Sequence, residues 1–223
     1  MELVMEKKAR FQVKDPLSAL THLIAFIAVI PTFILLMEKA QATATPLHTI
    51  GFGVFGASLL LLYGASTIYH TLRLSPEKTA VLRRIDHMMI FVLIAGTYTP
   101  VCLVTLAGKW GTAMLIGIWA IAIFGIFMKI FWMNAPRWLS TLIYVGMGWV
   151  SISAFVPLKA AVGWGGLGFL IAGGIAYTVG ALIYALKKPN LAILKHIGFH
   201  EIFHVFVMIG SAFHIAFMFL YVL

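Results

Sequence analysis

Seven long apolar runs separated by short polar or basic breaks constrain this chain of 223 residues more than any other feature. Crossing the hydrocarbon core of a bilayer takes about 20 helical residues, and the runs fall at 16–37, 48–72, 85–107, 111–128, 139–158, 164–186 and 198–222. None has the strict alternation and turn spacing of a membrane barrel strand, so each must satisfy its backbone internally as a helix. The sequence therefore predicts an all-α membrane protein. Its expected form is a seven-transmembrane-helix bundle in a single domain over residues 16–223, preceded by a short basic tail over residues 1–15. Composition agrees, since 62% hydrophobic and only 10% charged residues cannot cover a water-soluble surface.

The net charge of +9 has three common origins: a nucleic-acid partner, an anionic surface, or the bias of Lys and Arg toward cytoplasmic loops. Position along the chain decides among them. Lys7, Lys8, Arg10, Lys14, Arg73, Lys78, Arg83, Arg84, Lys129, Arg137, Lys187, Lys188 and Lys195 fall on one side of the expected bundle, and only Lys39, Lys109 and Lys159 on the other. This places the N-terminus in the cytoplasm and the C-terminus outside, and accounts for the charge with no nucleic acid. The first run follows basic residues as a secretory signal does, but its length, its His22 and its lack of a small-residue cleavage site make it a retained helix. Glycines at 51, 53 and 56, and at 163, 165, 166 and 168, are expected to allow close helix packing. Pro100, following Thr97, Tyr98 and Thr99, should bend the third helix, with the neighbouring hydroxyls taking up freed carbonyls.

The lone Cys102 excludes a disulfide within the chain and a thiolate metal cage, so any metal must be held by His and carboxylates. Ionisable residues inside lipid-spanning helices are costly and mark function. Here they share one depth. His70 lies at the cytoplasmic end of helix two with Ser66 one turn earlier, Asp86 opens helix three, His200 and His204 begin helix seven, and Ser18 and His22 lie early in helix one. Each i, i+4 pair lies on one helix face.

A His pair at that spacing is either two polar residues at a wet helix end or part of a metal site. With His70, His200 and His204 as zinc ligands, the fourth position of a catalytic site is left to water, and Asp86 is placed to hold that water or take its proton. Bound Zn²⁺ lowers the pKa of a water to about 7, which makes a nucleophile available at neutral pH. Asp86 is equally placed to pair with Arg83 or Arg84. His200-Glu201-Ile202-Phe203-His204 also spells H-E-x-x-H, the metalloprotease pattern in which Glu is the general base. Glu201 lies about 100° around the helix from His200, facing either the metal or the headgroups. His214 lies roughly 15 Å beyond His204 and reads as a hydrogen-bonded core residue. His48, His87 and His196 read as unremarkable. Trp132, Trp138 and Trp164 belong to an interfacial aromatic belt.

These residues resemble the hemolysin III family, the bacterial branch of the progestin and adipoQ receptor (PAQR) family, over essentially the whole chain. The resemblance is carried by Asp15-Pro16-Leu17-Ser18-Ala19-Leu20-Thr21-His22, by Ser66-Thr67-Ile68-Tyr69-His70 followed by Asp86, and by His200-Glu201-Ile202-Phe203-His204 with His214 downstream. It implies seven helices, an inside N-terminus, zinc on His70, His200 and His204, and a water held by Asp86 with Ser66 nearby. Alkaline ceramidases of the wider superfamily imply a metal-dependent amide or lipid hydrolase, and the hemolysin name implies cytolysis. The receptors carry a longer N-terminal cytoplasmic domain, so partners read through it do not transfer.

Three functions follow as expectations. The first is a zinc-dependent hydrolase of a lipid amide or ester, with a membrane lipid as substrate, Asp86 and Ser66 as catalytic residues, and Ser18, His22 and Glu201 as supports around the ligands. The second is a cytolytic pore or membrane-stress sensor in which zinc only pins helices, the pore requiring several copies. The third is an intramembrane metalloprotease using Glu201. The expected location is a bacterial plasma membrane.

Overall fold

The computed structural model describes residues 12–43, 45–189 and 197–223. The basic residues Lys7, Lys8 and Arg10 of the tail, and Lys195 and His196 before the last helix, lie outside the described residues. Every regular element among the described residues is helical. The chain runs α1 (Pro16–Thr43), α2 (Pro46–Thr71), α3 (Pro76–Pro100), α4 (Lys109–Phe131), α5 (Arg137–Trp149), α6 (Phe155–Leu186) and α7 (Phe199–Phe217). A π-helical segment, Val101–Thr105, continues α3, a 3₁₀ segment, Val150–Ala154, joins α5 to α6, and a second π-helical segment, Met218–Val222, follows α7.

The starts of the first three helices share one logic. Pro16, Pro46 and Pro76 each stand at the first helical position, where the missing N–H costs nothing and the fixed φ favours the helix. Ser75 accepts from the Lys78 amide at 3.5 Å, so α3 begins nine residues before the apolar run expected at 85. The added turns carry Glu77, Lys78, Arg83 and Arg84, which a search for continuous apolar character passes over. Pro100, expected to bend the helix, is its last α-helical residue before the π-helical segment, and the Thr97 and Thr99 hydroxyls donate to the carbonyls of Leu93 and Ala95, both at 2.8 Å, rather than to that of Gly96, which the proline leaves without its amide partner.

Among the described residues, six stretches are long and apolar enough to cross a membrane. Five of them have 23 to 30 residues. The sixth, Arg137–Leu186, has 50 residues; at about 1.5 Å per residue that is more than twice the hydrocarbon thickness of about 30 Å. It is broken at Gly163, whose φ of +63° and ψ of −172° are non-helical and open to glycine alone. The break falls between the fifth and sixth apolar runs. Gly163 is therefore a hinge rather than a packing contact, and Gly53 and Gly168 also face open space. Close approach does occur at Gly51, against the Pro100 backbone, and at Gly56, against the Phe33 ring.

Polarity is inverted relative to a water-soluble fold. Ile24, Ile27, Ile116, Phe124 and Val156 are exposed, while Ser18, His22, Ser66, His70, Lys129 and His204 are buried. That arrangement suits a lipid solvent. Helices α1 and α2, α2 and α3, and α6 and α7 pack against one another, and α1 closes the ring onto α7. The ring surrounds a cavity of about 1090 Å³.

Candidate metal centre

Asp15 immediately precedes α1, and its carbonyl accepts the first helical bond from Ala19 at 2.9 Å. Its own amide donates to the carbonyl of His70 at 2.9 Å, and the Lys14 amide donates to that of Thr71 at 3.2 Å, so the start of α1 is tied to the end of α2. This pairing brings the Asp15 carboxylate to His70, whose Nδ1 lies 2.9 Å from Oδ2. With Nδ1 donating to the carboxylate, Nε2 keeps its lone pair and points away.

His204 is set in the same way by a neutral partner. The single hydroxyl proton of Thr21 goes to the Ser18 carbonyl at 2.9 Å. The Thr21 oxygen, 3.1 Å from His204 Nδ1, must then accept, which again leaves Nε2 as the free lone pair. His200 completes the group, its Nε2 lying 3.1 Å from His70 Nε2. One nitrogen from each of His70, His200 and His204 lies within 4.8 Å of the others. Two nitrogens bound to one tetrahedral zinc at about 2.0–2.1 Å would be about 3.3 Å apart, so the spacing and donor chemistry fit such an ion.

The other expected site residues are distributed around this core. Asp86 and Ser66 line the same cavity beside the three histidines. The Ser66 hydroxyl is buried with no hydrogen-bond partner among the described residues. Ser18 donates to Glu201 Oε1 at 2.5 Å, and Glu201 Oε2 accepts from the Gly198 amide at 2.8 Å. Glu201 thus caps α7 and ties it to α1. His22 stacks face to face on His204, with ring centroids 3.6 Å apart, and neither of its nitrogens has a hydrogen-bond partner among the described residues.

Two histidine readings change. His214 was expected to be a hydrogen-bonded core residue; it is buried against the Tyr177 ring with Nδ1 unpartnered, and it touches the deep end of the cavity. His87, expected to be unremarkable, lies in the cavity wall. Three features were not anticipated: the Asp15 and Thr21 contacts that set the tautomers, and the burial of Lys129. Asp15 and Thr21 stand at i−7 and i−1 from His22 inside the first motif, which is the signal that carried them.

The cavity is polar at the histidine end, and Leu62, Leu93, Val101, Met114, Leu158 and Leu167 line much of the remainder together with Thr97, Tyr98, Ser151 and Thr178. Its volume is near the top of the range of about 300–1,000 Å³ usual for ligand sites, and its walls suit a molecule with one polar end and an apolar chain.

Comparison with known proteins bears on this geometry. The profile of a family described as "Haemolysin-III related" matches residues 11–215. A "Hemolysin-3 homolog" of Bacillus subtilis (strain 168) is 40% identical over 203 residues, covering 91% of this chain and 92% of the relative. A "Hemolysin-3" of Bacillus cereus is 38% identical over 208 residues, covering 93% and 91%. An "Adiponectin receptor protein" of Drosophila melanogaster is 25% identical over 211 residues, covering 87% of this chain and 47% of that longer protein.

Proposed function

The chain belongs to the Haemolysin-III related family, and from that membership we propose that it is a metal-dependent hydrolase of the cell membrane, acting on a lipid amide or ester. The bundle is taken as seven helices with the N-terminus in the cytoplasm. The break at Gly163 supports dividing the stretch Arg137–Leu186 into two spans, and the distribution of Lys and Arg supports the orientation.

One observation carries the reading: three imidazole nitrogens within 4.8 Å, opening onto a lipid-sized cavity that Asp86 and Ser66 also line. His70, His200 and His204 would hold the ion, and zinc suits an all-imidazole set. Such an ion polarises a carbonyl and makes water a nucleophile at neutral pH. Asp15 and Thr21 keep two of the ligands in the binding tautomer. The Asp86 carboxylate accepts the proton of the attacking water. The Ser66 hydroxyl, buried beside Asp86, donates to the carbonyl oxygen as negative charge develops there. The apolar cavity wall excludes bulk water and takes the acyl chain.

Glu201 has both oxygens engaged, one by Ser18 and one by Gly198, which counts against its use as a protease base. A pore built from several copies draws on the hemolysin names of the two Bacillus relatives.

The test is elemental analysis of detergent-purified protein beside His200→Ala/His204→Ala, followed by turnover of lipid amides and esters. About one zinc per chain, lost in the double variant, is expected. Asp86→Asn should retain the ion and lose about 10²–10⁴-fold in turnover, the usual contribution of a general base. Unchanged turnover in that variant, or folded wild-type protein without stoichiometric metal, refutes the mechanism.

A further inference from the structure

Three carboxylates line the cavity, Asp86 on α3 and Asp15 and Glu201 at the starts of α1 and α7. Asp15 and Glu201 are engaged by His70, Lys14, Ser18 and Gly198. Across the cavity, α3, α4 and α5 contribute Arg83, Lys129 and Arg137. None of these three has a carboxylate within ion-pair distance among the described residues. Arg83 and Arg137 are exposed at the rim, Arg137 with its guanidinium carbon 5.3 Å from the Tyr184 ring centroid.

Lys129 is the informative member. Lysines at cytoplasmic helix ends ordinarily extend their ammonium into water. Lys129 is only 2% exposed, and its Nζ donates to Ser140 Oγ at 2.6 Å. Ser140 is buried as well. One of three ammonium donors is thereby satisfied, and the charge is not neutralised by any acid. An ammonium withdrawn from water without a counter-charge is unfavourable, and an anion from outside the chain would compensate it. The guanidinium groups of Arg83 and Arg137 line the same cavity and suit the planar, multi-oxygen geometry of a phosphate or similar oxyanion.

We propose that the cavity end framed by Arg83, Lys129 and Arg137 binds a phosphate-type oxyanion, and that this anion is the headgroup of the lipid the protein acts on. The identification of the bound lipid as substrate rests on the hydrolase reading; binding of the anion does not. The site narrows the substrate class from any amide or ester lipid to one with an anionic phosphate headgroup, its apolar chain lying along Leu93, Val101 and Leu158.

The test measures binding without turnover, on the full-length protein in neutral detergent. Dioctanoyl phosphatidic acid, dioctanoylglycerol and inorganic phosphate are compared by native mass spectrometry and competition. A hydrogen bond to a charged group is worth about 1.5–3 kcal/mol, so wild type should prefer the phosphatidic acid over dioctanoylglycerol by tenfold or more. Lys129→Met should lose that preference with dioctanoylglycerol binding unchanged, while Lys129→Arg retains it. Arg83→Gln, at the exposed rim, should weaken the preference in the same direction. Without ligand, Lys129→Met should be at least as thermostable as wild type, because it removes an uncompensated charge. If Lys129 merely ties α4 to α5 through Ser140, Lys129→Met will instead lose stability and keep the preference, which overturns the proposal. Absence of any preference in wild type overturns it too. Inorganic phosphate competing as well as the phosphatidic acid overturns the lipid assignment and leaves a soluble-anion site. Binding that holds in protein inactive toward every phospholipid tested counts against the hydrolase reading, not against the anion site.

Discussion

Replacing Asp15 tests whether the protein sets the histidine tautomers before an ion arrives. The Asp15 side chain is 44% exposed, so its Coulombic attraction for His70 is screened and is worth about 0–1 kcal/mol. Its larger contribution is to hold the proton on Nδ1 and fix the ring at 2.9 Å. Loss of such a supporting contact typically lowers metal affinity about 10–100-fold, which is about 1.4–2.7 kcal/mol. Asp15→Ala should fall in that range. Asp15→Asn keeps an oxygen able to accept from Nδ1 and loses only the screened charge, so its affinity should fall by less than tenfold. Thr21→Val removes the acceptor for His204 and should resemble Asp15→Ala, whereas Thr21→Ser should resemble wild type. Zinc affinity is read by competition against a chelator of known affinity on folded, detergent-solubilised protein. The Asp15 amide still bonds the His70 carbonyl in every Asp15 variant, so the start of α1 stays in place. Equal affinities for wild type and Asp15→Ala would refute the reasoning. So would an asparagine variant as damaged as the alanine variant, since charge rather than tautomer would then be at work.

Glu201→Gln leaves one amide oxygen where the carboxylate used two, and removes a negative charge from the start of α7. It should lower thermal stability by about 1 kcal/mol with lipid turnover within a few-fold of wild type; a loss of about 10²-fold or more would make Glu201 a general acid–base after all. Gly163→Ala forces a side chain into a glycine-only conformation and should cost about 1–3 kcal/mol in denaturant or thermal unfolding. A neutral outcome would mean that the hinge relaxes. Zinc present at about 100 times its dissociation constant should add about 2.7 kcal/mol to stability. A chelator should remove that increment from wild type and leave the melting temperature of His200→Ala/His204→Ala unchanged.

The depth of the site was legible because lipid makes every buried polar residue conspicuous. His70, Ser66, Asp86, His200 and His204 stand out against apolar helices, and helical spacing alone puts them at one end of the bundle. Tyr63 and Ser211 extend the same stripes, being seven residues from His70 and His204, and they meet at 2.7 Å; their hydroxyls were overlooked because neither group is charged at neutral pH. Asp15 was legible only as the residue before Pro16, since its role depends on how the start of α1 pairs with the end of α2. Helix boundaries failed where the polar turns of α3 extend beyond the lipid. Lys129 failed for a different reason. Its position at the end of an apolar run is that of an ordinary cytoplasmic lysine, and only packing against Ser140 decides that its ammonium stays inside.

The placement of the histidines has a consequence for the fold as well as for the chemistry. Between membrane helices there is no hydrophobic drive, so pairing rests on close packing and on interhelical polar contacts worth about 0.6 kcal/mol each on average. Helices α1 and α2, and α6 and α7, have extensive packing interfaces, but α2 and α7 do not pack closely on each other. Their direct links are polar: Tyr63 to Ser211 at 2.7 Å, and His70 to His200 at 3.1 Å. His22 of α1 stacks on His204 between them, and Thr21 and Ser18 bond to the same helix. An ion shared by His70, His200 and His204 would join α2 and α7, which packing alone joins only weakly. Without it, two imidazole nitrogens face each other at 3.1 Å with at most one proton to share. Metal occupancy and closure of the α2–α7 seam are then one equilibrium, and a variant that loosens the seam away from the histidines, such as Ser211→Ala, lowers metal affinity without touching a ligand.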